Sequence, residues 1–297
     1  RFHAKKFASI DAADLVAICD IDTEAGRSLA DACGAEFCDD YRILEGRVDA
    51  VIIAADTSVH FELARFFLDN GIHVFVEKPM TSTSGQGREL TELAEANGLK
   101  LQVGHVERFN PALLSARDRL TGVRFMECHR LAPFKGRGAD VNVVLDLMIH
   151  DLDVILSLVD GKPSLVSAVG IPVLTRSVDI ANARIEFDTG AIANVTASRV
   201  STSTQRKFRV FQRSQYLSID FDAGEVQLVS SDAGSDSQPA LSQQSWSLEK
   251  GDALAAEVRA FIGAIVEDRP CEVTGQDGVA ALELAEAIIE DIERRTF

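Results

Sequence analysis

The sequence has 297 residues, 46% apolar and 26% charged, with a formal net charge of −16. That is enough chain for a sizeable core in two ordinary domains, and the balance excludes disordered and fibrous classes. The acidity excludes non-specific nucleic-acid binding, which needs a basic footprint, and no apolar run reaches the roughly 18 to 20 residues that cross a bilayer. The N-terminus lacks the apolar core of a secretory leader. Cys19, Cys33, Cys38, Cys128 and Cys271 are odd in number and lack CxxC spacing. They predict neither a disulfide framework nor a zinc knuckle and suit a reducing cytoplasm.

In chain order, residues 1–9 predict a helix and 14–20 a short apolar strand ending in acid. A helix over 23–33 is capped by Gly34. Residues 48–55 predict a second buried strand, and Thr57 opens a helix with Leu63/Phe67 and Ala64/Leu68 at i, i+4, ended by Gly71. A strand over 72–76, a helix over 84–97 capped by Gly98 and a strand over 99–103 follow. Strands alternating with helices imply parallel pairing, so residues 1–105 predict a doubly wound, Rossmann-type dinucleotide-binding domain. Its first strand and Gly-rich loop, roughly 15 to 20 residues, are expected upstream of Arg1.

From residue 106 the texture changes, and 106–297 predict a second, mostly antiparallel domain for substrate binding and self-association. Helices over 112–120 and 142–159 flank a strand near 123–131. Strands are expected over 165–173, 180–187, 191–198, 207–211, 216–221 and 225–229, with Asp188-Thr189-Gly190 turning a hairpin. Residues 230–244 read as a polar loop, and a helix over 275–295 carries an apolar face that packs back on the sheet. Helices on one face leave an open face, which predicts a homodimer or homotetramer through it.

Three stretches carry chemistry. Asp20 ends its strand where an acid accepts hydrogen bonds from the adenosine ribose and repels a 2′-phosphate, favouring NAD over NADP; a solvated strand-end acid is the alternative. Thr57 and His60 open the next helix and could face the dinucleotide, or be a cap and a surface histidine. Glu77-Lys78-Pro79 ends the third strand, where proline fixes the backbone and Lys78 is placed to hydrogen-bond a substrate oxygen.

The third is Asp146-Leu147-Met148-Ile149-His150-Asp151-Leu152-Asp153, which in a helix puts Asp146, His150 and Asp153 at i, i+4 and i+7. The helix is apolar nearly all round, so four ionisable groups in it are costly unless paired or used. A histidine near a carboxylate suits a general base at neutral pH. A structural histidine or zinc ligation remain alternatives, the latter without a third ligand. Arg130, Lys135 and Arg137, interleaved with Gly136 and Gly138, form a basic stretch suited to a diphosphate or to solvent.

Glu77-Lys78-Pro79, then Gly104-His105-Val106-Glu107-Arg108-Phe109-Asn110-Pro111, then Asp146 to Asp153 together resemble the Gfo/Idh/MocA oxidoreductases over the whole chain. The resemblance implies NAD-dependent hydride transfer from a sugar-like hydroxyl, with Lys78, Asp146 and His150 as the catalytic set and Asp20 as the ribose-binding acid. Many relatives have glycine two residues after the catalytic aspartate, where this chain has Met148. The wording is most similar to the branch acting on UDP-N-acetylhexosamines, which implies oxidation of the 3-hydroxyl to a 3-keto group. The substrate hydroxyl is expected between Lys78 and His150, either of which could take its proton.

The expected cofactor contacts are Asp20, Thr57, His60, Glu77 and Lys78. The expected substrate contacts are Lys78, Arg108, Asn110, Lys135, Arg137 and His150, with no metal. A dehydrogenase of a free polyol such as inositol, and a non-catalytic NAD-binding sensor or co-repressor, are the rival functions.

Overall fold

A computed structural model describes residues 2–7, 10–134, 136, 141–231, 241–249 and 251–295. Two compact units divide them: Arg1–Val106 with Asp252–Val279, and Glu107–Gly251 with Ala280–Phe297.

The first unit runs α1 (Phe2–Phe7), β1 (Ala17–Cys19), α2 (Thr23–Cys33), β2 (Glu36–Cys38), β3 (Ala50–Ile53), α3 (Thr57–Asp69), β4 (His73–Glu77), α4 (Ser84–Ala96) and β5 (Leu101–Gly104). Local chemistry marks the ends. Asp22 caps α2 by accepting from the Ala25 N–H at 3.0 Å, and Gly34 closes it with a left-handed φ of 71° that glycine adopts without strain. β1 pairs with β2 in parallel, and β3, β4 and β5 form a second parallel sheet with β4 central. Val74, Phe75 and Val76 of β4 are wholly buried, which is why that strand reads as an unbroken apolar run. The three-residue β2 carries too little pattern to have been anticipated.

The second unit begins with α5 (Pro111–Ala116), β6 (Phe125–Leu131), a π-helical turn (Val144–Met148) and α6 (Ile149–Leu158). It continues through β7 (Pro163–Ile171), β8 (Ile180–Phe187), β9 (Ile192–Ser198), β10 (Gln205–Gln212), β11 (Gln215–Asp220), β12 (Glu225–Ser231) and β13 (Leu241–Ser247). One eight-stranded sheet takes the order β13-β12-β11-β10-β6-β9-β8-β7. Its pairs are antiparallel except β6 with β9. In β8, Ala181, Ala183, Ile185 and Phe187 are buried while Asn182 and Arg184 are exposed, so only one face enters the core. Leu152 and Ile155 of α6 pack in that core.

Two segments differ from expectation. Residues 241–244, expected in a polar loop, belong to β13, whose residues are exposed apart from the half-buried Trp246. An edge strand that buries no face has no alternating apolar pattern to reveal it. An unanticipated helix α7 (Ala253–Val266), capped by Asp252, clusters with the first unit although it follows the sheet in sequence. Phe261 stands edge-on to Phe75, ring centroids 5.8 Å apart, and the Gln102 side chain donates to the Glu257 carbonyl at 3.0 Å. The compact units are therefore not divided by one cut near residue 105. The last helix, α8 (Gly275–Arg295), has the expected span, and its Leu284, Ala285, Ile288 and Ile292 complete the core of the sheet unit.

Candidate active site

Lys78 follows directly on β4, and its bond to Pro79 is cis. The backbone N–H of Lys78 donates to Glu77 Oε2 at 3.1 Å, and His3 Nε2 lies 2.5 Å from Glu77 Oε1. Burial pushes the Glu77 carboxyl up. The His3 hydrogen bond and charge, with the Lys78 N–H and charge, outweigh burial and hold it below its ordinary range. Gly104 is paired with Glu77 across β4–β5, and a Cβ there would lie 3.0 Å from Glu77 Oε2. Glycine is what leaves room for the carboxylate.

His60, in the first turns of α3, is 1% exposed. Its Nδ1 lies 3.0 Å from the Pro79 carbonyl oxygen and its Nε2 2.9 Å from that of Ala55. Both ring nitrogens therefore face backbone carbonyls, so His60 is a buried rather than a surface histidine. Thr57 is the first, half-buried residue of α3. Asp20 follows β1, and its Oδ1 accepts from the Asp22 N–H at 3.0 Å. A half-buried acid fixed in this way at the carboxyl edge of a parallel strand fits the ribose of a dinucleotide.

In the second unit, Asn142 organises the approach to the helix. Its Oδ1 accepts from the Val144 N–H at 2.9 Å and its carbonyl from the Asp146 N–H at 3.0 Å. Asp146 lies in the π turn, so the α-helical spacing assumed for it applies only from Ile149 onward. Asp146 and His150 are half-buried. Their two acidic neighbours are neutralised. Asp151 takes Nε and Nη2 of Arg130 at 2.9 and 2.8 Å, and Arg130 Nη1 reaches Glu107 Oε1 at 2.8 Å. Asp153, 1% exposed, accepts from Arg108 Nε at 2.9 Å. Burial raises the Asp151 carboxyl while Arg130 draws it down, and the net direction is upward. The two carboxylates hold the Arg130 guanidinium firmly charged against its own burial.

Several of the expected contact residues have partners within the protein. Arg130, 4% exposed, belongs to this buried cluster and not to a diphosphate loop. Arg108 is engaged by Asp153. The Asn110 side chain caps α5 through the Ala112 N–H at 3.0 Å and donates to Glu107 Oε2 at 3.1 Å and the Phe221 carbonyl at 3.3 Å. Arg108 thus meets the helix that carries His150 at Asp153, and Glu107 meets it through Arg130, while Asn110 caps α5. Lys135 and Arg137, with Gly138, lie outside the described residues. Among the described residues no group of three or more His, Cys, Asp or Glu side chains could hold a metal. Sequence reasoning missed His3, Glu107 and Asn142. Only Glu107 stood in a marked motif.

The family described as "Oxidoreductase family, NAD-binding Rossmann fold" (GFO/IDH/MocA) matches residues 1–105, and the GFO/IDH/MocA C-terminal domain matches 124–217. The chain is 35% identical over 300 residues to the UDP-N-acetylglucosamine 3-dehydrogenase of Acidithiobacillus ferrooxidans, covering 99% of this chain and 95% of that protein. It is 32% identical over 222 residues to the scyllo-inositol 2-dehydrogenase (NAD(+)) of Bacillus subtilis, covering 67% of this chain and 64% of that protein. A solved structure of the A. ferrooxidans enzyme, GnnA, superposes with a TM-score of 0.92 at 34% identity, covering 99% of this chain and 94% of that one.

Proposed function

The chain belongs to the Gfo/Idh/MocA family of NAD-binding oxidoreductases, and from that premise we propose that it oxidises the 3-hydroxyl of a UDP-N-acetylhexosamine to a ketone. The observation that carries the assignment of residues is the placing of Asp146 and His150. They stand half-buried where the π turn leads into α6, and the acids that follow, Asp151 and Asp153, are ion-paired to Arg130 and Arg108. Ionisable groups in an apolar helix are costly unless paired or used, and a histidine close in sequence to a carboxylate suits a general base.

When bound, NAD supplies the hydride acceptor. Lys78, fixed at the end of β4, meets the substrate hydroxyl, either as an ammonium that donates to its oxygen or as a neutral amine that takes its proton. Asp146 orients His150 and stabilises its charged form, and the hydroxyl proton leaves to Lys78 or His150. Asp20 holds the adenosine ribose and selects NAD over NADP. The substrate class rests on the nucleotide-sugar relative. Similarity to the inositol dehydrogenase supports a second reading, oxidation of a free polyol.

The assembly we propose is a homodimer or homotetramer through the open sheet face, where Leu165, Val169 and Ile171 of β7 stand 53–55% exposed. No described helix is long and apolar enough to cross a membrane, and a cytoplasmic setting suits five free cysteines. Incubation with NAD and either UDP-N-acetylglucosamine or free inositols, followed by NADH absorbance, tests the function. Reduction of NAD with the nucleotide sugar is expected. Reduction with inositol alone would favour the second reading, and none with either would overturn both.

A further inference from the structure

We propose that His60 is a positioning residue for Lys78, holding the backbone after the lysine rather than contacting cofactor or substrate. The inference rests on the reading of Lys78 as a substrate-binding group. β3 ends at Ile53 and β4 at Glu77, so the carbonyls of Ala55 and Pro79 lie beyond the sheet ladder and need partners elsewhere. The single imidazole of His60 meets both, at 2.9 and 3.0 Å. Carbonyl oxygens only accept, so a ring nitrogen that carries hydrogen donates to the carbonyl it faces. With His60 1% exposed, little water competes for these bonds.

The consequence for Lys78 is that its backbone is bracketed. Ahead of its Cα, the Lys78 N–H is held by Glu77 Oε2 at 3.1 Å; behind it, the Pro79 carbonyl is held by His60. Pro79 has no N–H of its own to anchor this stretch. The same ring closes the turn from β3 into α3 through Ala55. One side chain therefore joins the carboxyl ends of two neighbouring parallel strands, the edge at which doubly wound domains place their chemistry.

The test compares the full chain with His60→Ala, His60→Gln and Lys78→Ala. Turnover is followed with NAD and UDP-N-acetylglucosamine or inositol, alongside the NAD dissociation constant and amide hydrogen exchange at Lys78. For His60→Ala, kcat is expected to fall about 100-fold with KM and NAD affinity within about twofold of wild type, as for a displaced catalytic group. Exchange at Lys78 should rise. His60→Gln, whose amide nitrogen donates two hydrogens, should recover part of both.

Wild-type kcat and exchange in His60→Ala would overturn the proposal. So would a parallel loss of kcat, substrate KM and NAD binding in both His60 variants, which marks general damage to the fold. An active Lys78→Ala would instead overturn the reading of the site on which the proposal rests. The exchange arm decides for His60 even on a substrate that gives no turnover.

Discussion

Arg130 closes on Asp151 through two parallel hydrogen bonds, 2.9 and 2.8 Å, and reaches Glu107 with a third, all three side chains no more than 6% exposed. The bidentate fork ties β6 to the first turn of α6, the helix that carries His150. Removing the guanidinium leaves two carboxylates in a site from which water is excluded. Arg130→Met is therefore expected to lose about 3–5 kcal/mol of stability, far more than a surface ion pair. Urea unfolding checks this, and a loss below about 1 kcal/mol would place the cluster effectively in solvent.

Asp179 gives a prediction that depends on pH. Burial pushes its carboxyl up, but the backbone N–H groups of Thr175, Leu174 and Val173, at 2.8, 2.6 and 2.8 Å, with the Thr175 hydroxyl, bring it down to about 2. A folded value below the unfolded one means that the stabilisation is complete above the ordinary aspartate range near 3.9 and lost as pH falls through about 2. Asp179→Asn should cost about 1–3 kcal/mol at neutral pH, because an amide cannot accept through both positions. The gap from wild type should close in acid. A gap that is unchanged in acid would contradict the assignment.

Gly104 and Glu77 make a steric prediction beside Lys78. A methyl group at Gly104 would lie 3.0 Å from Glu77 Oε2 and 3.1 Å from its Cα, and the second of these is backbone that cannot swing aside. Gly104→Ala is expected to destabilise by about 1–3 kcal/mol and to lower turnover by displacing the Glu77 carboxylate. A thermal melt and a rate at wild-type values would show that the strands part easily.

Asp20 tests cofactor choice. Replacing it with serine removes both the ribose acceptor and the charge that repels a 2′-phosphate. Asp20→Ser should raise the KM for NAD by roughly tenfold, the cost of one charged hydrogen bond, while improving use of NADP. Unchanged selectivity would remove Asp20 from the cofactor site.

Where local physics dominates, the sequence was enough. The Asp22 and Gly34 caps of α2, the 3.6-residue pattern of α8 and the strict alternation of β8 each announce themselves within a dozen residues. β13 did not, because exposed Ser and Gln carry no period, and the nearly unbroken apolar run of α7 has no clear face. At the site, residue types were legible but not their division of labour. That Asp153 is met by Arg108 and Asp151 by Arg130 depends on pairing across 45 and 21 positions, which no local pattern encodes. The partners of Asn110 and His60 were not legible for the same reason, being backbone carbonyls of remote or turning chain.

The most direct measurement is NAD reduction with UDP-N-acetylglucosamine by the wild-type chain, Lys78→Ala and His150→Ala, each first shown to bind NAD and to melt as wild type does. The account predicts that the two variants lose at least about 100-fold in kcat, the usual scale for a positioned acid or base. Turnover at the wild-type rate in both variants would contradict it.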